Sequence, residues 1–310
     1  MNQELMIVGL GKMGANVARR MCAQGFRVVG WNRSIEVTNA LNAECGVEVA
    51  HEFAHIKTML SQTPRIIFTI LPAHVLDQVL PEIAKQLDQG DILVDAANAN
   101  YKETIRRHAD MKALGIEYID VGFSGGPAGA LNGGCLMVGG EVRVYEACRA
   151  VFEAMAAPGA VKHFEGVGAG HFVKTIHNGI EYGMMQAMAE GFDIMNRAPF
   201  NLDLKEVCDI YQHGSVIESR LVGWMMRAYE KHGDDLTDVI GSAGQGGGVA
   251  GAVANKGEAV WTVEAAHELG TTAVVIDDSV KARALSRETP SYQGKVVQAL
   301  RNEFGGHGTK

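Results

Sequence analysis

The sequence contains no long basic run, no stretch approaching the roughly 20 apolar residues a membrane-crossing helix needs, and no ligand spacing that suits a metal. Each absence removes a class of function. Lys and Arg number 28 against 36 Asp and Glu, giving a net charge of −8 and a pI near 5.8. General binding to nucleic acid or to an acidic membrane surface is therefore not expected, and an anionic substrate requires a local basic pocket. The five cysteines (Cys22, Cys45, Cys135, Cys148 and Cys208) are odd in number and scattered, without CxxC spacing, so neither a disulfide framework nor a zinc site is expected. The 11 histidines show no HExxH or comparable pattern, and no metal is expected. The start, Met1-Asn2-Gln3-Glu4, has no basic n-region leading into an apolar core, which reads as a cytoplasmic protein.

What is present is ample apolar content, 47% of 310 residues, enough for about two domains with proper cores. The first half alternates strands and helices, the pattern of a doubly wound, Rossmann-type α/β sheet. Leu5 to Val8 reads as a strand, and Gly9-Leu10-Gly11-Lys12-Met13-Gly14 follows at once, opening a helix to Ala23. In that context GxGxxG is a dinucleotide site. The first glycine permits the tight turn, the second lets backbone approach a pyrophosphate, the third lets helix and strand pack, and the helix N-terminus supplies N–H groups.

The next strand, Arg27 to Trp31, ends in Asn32-Arg33-Ser34, with no carboxylate to bond a ribose 2′-hydroxyl. A guanidinium there suits a 2′-phosphate, which favours NADP over NAD. In the alternative reading, Arg33 is a solvated loop charge and Ser34 caps the following helix. Strands over Arg65–Ile70, Asp91–Asp95 and Ile116–Val121, with helices beginning at Pro72 and Tyr101, continue the alternation. Ligands of such sheets lie at the carboxyl ends of the strands, which marks Leu71, Pro72 and Asn98. Asn98 can equally be a polar residue at a helix start. Between Ser124-Gly125-Gly126-Pro127-Ala128-Gly129-Ala130 and Gly133 to Gly140, so much glycine around a serine either exposes N–H groups for a carboxylate or phosphate or forms a flexible hairpin. A helix over Glu141–Met155 and an extended Val161–Phe164 close the first domain, 1–165.

The second domain, 166–310, loses strand alternation and reads as helices over 170–196, 203–213, 217–232, 256–269, 278–286 and 292–303. Its opening stretch, Gly168 to Gly183, concentrates reactive side chains. At about 100° per residue, His171, Lys174, Asn178 and Glu181 share an arc of roughly 80°, flanked by His177 and Tyr182. Phe172, Val173, Ile176 and Ile180 take the other side. Such a stripe either walls a polar cavity or is the wet face of an amphipathic helix. Gly241 to Gly251 reads as a flexible loop.

Together, the glycine motif at Gly9–Gly14, the Ser124–Ala130 loop and the His171–Gly183 run resemble the decarboxylating 6-phosphogluconate dehydrogenases, in a short form lacking much of the helical region of longer members. HFVK followed by HNGIEYG is that family's pattern, where the wider β-hydroxyacid dehydrogenase superfamily has K-x-x-x-N. The resemblance implies metal-independent oxidative decarboxylation of a phosphorylated sugar acid with NADP, or NAD. It implies Lys174 as general base and acid, Glu181 as the acid that protonates carbon, and His177 and Asn178 as positioning groups. Ser124, Gly125 and Gly126 would contact the carboxylate side, with Asn98 the substrate asparagine. Tyr182 and Arg283 match phosphate-binding positions, and Arg301 and His307 match a tail that completes a neighbouring subunit's site, so that a homodimer or homotetramer is implied. The chain departs from the resemblance at Val260, before Trp261-Thr262, where a basic phosphate contact is implied; Lys256 nearby is not assigned to replace it. Pro127-Ala128 after the Ser-Gly-Gly follows the wider superfamily instead. A hydroxyacid dehydrogenase without decarboxylation and a nucleotide-sensing binding protein are the competing readings.

Overall fold

The computed structural model describes residues 3–242, 248–250 and 258–305. The chain divides into two compact units, Met1–Thr175 and Ile176–Lys310. The first is built on β1 (Glu4–Val8), α1 (Lys12–Ala23), β2 (Arg27–Trp31), α2 (Ile35–Cys45), β3 (Glu48–Val49), α3 (Ile56–Met59), β4 (Ile66–Thr69) and α4 (Ala73–Ala84). It continues with β5 (Ile92–Asp95), α5 (Tyr101–Ala113), β6 (Glu117–Ser124), α6 (Gly126–Asn132), β7 (Gly134–Gly140), α7 (Val142–Met155) and β8 (Ala156–Glu165).

These strands form one sheet of eight in the order β3-β2-β1-β4-β5-β6-β7-β8. All pairings are parallel except β6 with β7, so the last two strands run against the first six. Because side chains alternate across a strand, a sheet covered on both faces sorts consecutive apolar residues into two cores. Leu5 and Ile7 of β1 join Val94, Ile119 and Val121 in one cluster, while Met6 and Val8 join Ile67, Leu93 and Tyr118 in the other. That is why the strands read as unbroken apolar runs. The order reverses beside β1, whose neighbours are β2 on one side and β4 on the other. A crevice at the strand ends is the consequence of such a reversal.

Two expectations need correction here. The glycine-rich 125–140 stretch is not a loop: it holds the short helix α6 and the strand β7, paired with β6 from Asp120↔Gly139 to Ser124↔Cys135. Gly133 and Gly139 lie against other backbone and Gly134 against the Phe123 ring, where a Cβ would come within 3 Å of its neighbours. Gly241–Gly251 likewise contains an antiparallel pair, β9 (Ile240–Ser242) with β10 (Gly248–Ala250), where a flexible loop was expected; 243–247 and 251 lie outside the described residues.

The long helix α8 (Ala169–Asn196) starts in the first unit and continues in the second. The second unit adds α9 (Leu204–Tyr211), α10 (Arg220–His232), α11 (Glu258–Glu268), α12 (Val274–Glu288) and α13 (Tyr292–Gly305). Its core joins Met185, Ala189 and Phe192 of α8 to Cys208, Met225, Tyr229, Val296 and Leu300. Asp203 and Ser219 cap α9 and α10 with their side chains, which fixes where those helices begin. Among the described residues no helix is long and apolar enough to cross a membrane.

Candidate active site

In the first unit the strand ends gather the glycine motif, the β2 end and the β4 end. Gly9 has φ +98°, and a Cβ there would stand 2.5 Å from the carbonyl oxygen of Ile70 and 2.7 Å from Leu71. A Cβ on Gly14 would stand 1.9 Å from the carbonyl oxygen of Gly9. Both glycines are therefore demanded by the protein's own packing. Gly11 differs: a Cβ there meets nothing within 4 Å. Its φ of −68° and ψ of −168° suit any residue, and it heads α1 without a side-chain cap. Open space above bare helix N–H groups fits a dinucleotide pyrophosphate.

Around this loop, Leu10 N–H donates to Asn32 Oδ1 at 3.0 Å, and Asn32 Nδ2 donates to the Ser34 carbonyl at 3.2 Å. Asn32 thus braces the loop. Arg33 and Ser34 are exposed beside it, Lys12 is exposed, and Met13 packs on the core. Leu71 lies against Gly9, and Pro72 heads α4.

At the ends of β5 and β6, Asn98 holds the left-handed conformation with φ 49°. Its Oδ1 accepts from Phe123 N–H at 2.9 Å and its Nδ2 donates to the Phe123 carbonyl at 3.4 Å. The amide is a clamp between the two strand ends. Ser124 follows, then Gly125 with φ 127° and Gly126 with φ 60°, which turn the chain into α6. Asn16 of α1 donates to the Pro127 carbonyl at 2.9 Å, so the Ser-Gly-Gly turn sits against the dinucleotide helix. Lys174, 6% exposed, comes from the first turns of α8.

The second unit carries the remaining candidates. His177 Nδ1 lies 3.2 Å from Asn178 Oδ1 and 3.7 Å from Glu181 Oε2. Asn178 Nδ2 donates to Glu258 Oε2 at 3.2 Å. Gly179 makes that approach possible, since a Cβ there would stand 2.6 Å from the Thr262 side chain on α11. The Arg283 guanidinium stacks on the Tyr182 ring, 3.2 Å from its centroid. Burial lowers Arg283 to about 10, and Arg301 acts in the same direction, while Tyr182, Glu181 and Glu258 oppose it. Arg301 is buried too and lowered for the same reason; its Nη1 donates to Gln298 Oε1 at 2.9 Å. Burial also raises the Tyr182 phenol. Two guanidinium groups kept out of water beside a phenol make a place for an anion.

Glu258 was missed by sequence reasoning, which weighed its segment only for Val260. The one available signal was a carboxylate near Trp261-Thr262; its bond to Asn178 is a product of the fold. His307 and Lys256 lie outside the described residues. Among the described residues no cluster of three or more His, Cys, Asp or Glu is placed to hold a metal.

Comparison with known proteins follows the same division. Residues 4–168 match the NAD binding domain of 6-phosphogluconate dehydrogenase, and residues 170–199 match that enzyme's C-terminal domain. The Bacillus subtilis protein YqeC, whose assignment as a 6-phosphogluconate dehydrogenase is itself provisional, is 39% identical over 98% of both chains. The NAD(+)-dependent, decarboxylating 6-phosphogluconate dehydrogenase of Haloferax volcanii is 34% identical, covering 98% of this chain and 97% of its own. The solved Plasmodium falciparum 6-phosphogluconate dehydrogenase superposes with a TM-score of 0.80 at 27% identity, over 92% of this chain and 62% of that longer one.

Proposed function

Because the chain belongs to the 6-phosphogluconate dehydrogenase family, oxidoreductases of the β-hydroxyacid dehydrogenase superfamily, we propose that it converts 6-phosphogluconate to ribulose 5-phosphate and carbon dioxide. The observation that carries this reading is the pair of buried guanidinium groups, Arg283 and Arg301, around Tyr182. Burying cations is costly unless an anion compensates, and a phosphate at one end of the substrate does so. Its binding energy then positions the far end for reaction.

A dinucleotide held at Gly9–Gly14 and the start of α1 would supply the hydride acceptor for the alcohol carbon. Lys174 accepts the hydroxyl proton and, as an ammonium, returns it to the ketone oxygen as the bond to the carboxylate breaks. Glu181 then protonates the carbon that lost carbon dioxide while Lys174 takes the enol proton back, which leaves the ketone of the product. Ser124 and the N–H groups of Gly125 and Gly126 hold the carboxylate, Asn98 shapes that end through its clamp on Phe123, and His177 and Asn178 orient the sugar hydroxyls. In this reading the enzyme is a cytoplasmic homodimer or homotetramer; Arg301, buried in its own chain beside Arg283 and Tyr182, serves its own chain's phosphate site, and His307 is the tail residue that would complete a neighbouring one.

Cofactor choice rests on the exposed Arg33 and the missing carboxylate at the end of β2, which suit the 2′-phosphate of NADP. The NAD(+)-dependent Haloferax relative favours the other choice; kcat/KM measured with both cofactors separates them. A hydroxyacid dehydrogenase without decarboxylation is the second reading, favoured by Val260 standing where a basic contact was implied. An assay of 6-phosphogluconate that follows carbon dioxide as well as reduced cofactor decides between the two reactions.

A further inference from the structure

Asp120 takes no part in the chemistry above, yet it lies within β6 with no exposure. Its oxygens are taken by the start of α8: Gly168 N–H donates to Oδ1 at 2.8 Å and His171 N–H to Oδ2 at 2.7 Å. The first turn of a helix leaves N–H groups without partners and carries the positive end of its dipole. A strand carboxylate here does from outside what a capping residue does from within. Burial pushes the Asp120 carboxyl above its ordinary range, with Asp95 adding to this, while His171 and the two N–H groups pull it back. The two N–H bonds favour the ionised form against that burial.

Three other features tie the same turns down. His171, 1% exposed, places Nδ1 2.7 Å from Thr104 Oγ1 on α5. A Cβ on Gly139 would stand 2.2 Å from Gly170 N, and one on Gly170 2.4 Å from the Met137 carbonyl oxygen, so helix and sheet meet backbone to backbone. A Cβ on Gly122 would stand 2.3 Å from Cβ of Lys174. The lysine stem therefore leaves the helix against bare strand, in the strand that ends at Ser124.

We propose that Asp120 is a positioning residue for Lys174: with Gly122, Gly139 and Gly170 it pins the first turns of α8 onto β6 and β7 and so fixes where the amine is delivered. A displacement of about 1 Å at a reacting group can cost about 100-fold in rate. A carboxylate that sets helix height is thus worth testing as part of the catalytic apparatus, although it touches neither substrate nor cofactor.

The inference rests on Lys174 acting as the base, and the test keeps the two apart. Asp120→Asn keeps the shape but turns one acceptor into a donor facing an N–H; Gly122→Ala drives a methyl into the lysine stem. Each is assayed for turnover of 6-phosphogluconate, for cofactor Kd by fluorescence titration, and for acylation of Lys174 by acetic anhydride, read by peptide mass spectrometry against the exposed Lys85 and Lys281. Expected are kcat at least about tenfold lower in both variants, cofactor Kd within about twofold, and acylation of Lys174 in Asp120→Asn raised at least about threefold as the buried amine is released. Turnover within about twofold of the original chain in both variants overturns the proposal. So does cofactor affinity falling in step with kcat while Lys174 labelling stays put, which assigns Asp120 to general support of the sheet. Should Lys174→Ala turn over normally, the proposed reaction fails, and the labelling comparison, needing no substrate, still decides whether Asp120 holds the lysine.

Discussion

Replacing Gly11 and Gly14 of the Gly9–Gly14 motif one at a time should separate folding from binding. For Gly11→Ala, the new methyl meets nothing within 4 Å and the backbone dihedrals are ordinary. Alanine is a poorer helix N-cap than glycine by a few tenths to about 1 kcal/mol, and the stiffer unfolded chain returns about 0.4–1 kcal/mol. The two cancel, so thermal unfolding should move by less than about 2 °C. For Gly14→Ala, a methyl 1.9 Å from the Gly9 carbonyl oxygen cannot be accommodated without moving backbone. A cost of about 3 kcal/mol corresponds to a fall of about 6–12 °C in Tm. Cofactor affinity should follow a different order. If the pyrophosphate approaches through the space over Gly11, as the motif implies, Gly11→Ala should raise the NADPH Kd at least about tenfold, about 1.4 kcal/mol. Thermal scans without ligand and fluorescence titration with NADPH measure the two effects. A Gly11→Ala protein that binds as the original does, or that unfolds as early as Gly14→Ala, refutes the reasoning.

Arg33→Ala should raise KM for NADP at least about tenfold and leave NAD kinetics within about twofold, since the lost pairing is to the 2′-phosphate alone; equal effects on both cofactors contradict that role. Arg283→Met, which keeps apolar contact with Tyr182 but removes the charge, should raise KM for 6-phosphogluconate at least about tenfold without changing cofactor Kd. An unchanged KM would remove Arg283 from the phosphate site. Burial pushes the thiols of Cys22, Cys148 and Cys208 up to about 12 each. They stay protonated below that pH, so iodoacetamide at pH 8 should alkylate the exposed Cys135 first and reach those three only after unfolding. Early labelling of Cys148 in native protein would contradict the burial.

The dinucleotide half was legible because its information is local. A strand, three glycines at fixed spacing and a helix carry their own geometry, and in the structure packing demands Gly9 and Gly14 while Gly11 faces open space. Of the two readings of the glycines from Gly125 to Gly140, the flexible hairpin fails, because composition says only that side chains are missing. It does not say whether chain flexibility or another backbone requires that, and at Gly139 the answer is Gly170 of α8. Nothing in the sequence sets Asp120 apart within its strand, because its partners lie 48 and 51 positions away. Asn98 stands at a strand end as its sequence position implies, but its two bonds to Phe123, 25 positions on, are not legible there. Glu258 joins Asn178 only because Gly179 lets α11 approach α8. Polar residues whose partners are remote in sequence are where pattern reading stops.

The central claim is that buried Lys174 makes this chain an oxidative decarboxylase. The most direct test follows reduced cofactor and carbon dioxide together as the protein acts on 6-phosphogluconate, alongside Lys174→Ala. One carbon dioxide per reduced cofactor, with both lost at least about 1,000-fold in the variant, is the expected result. Cofactor reduction without carbon dioxide, or turnover that survives the loss of Lys174, would contradict it.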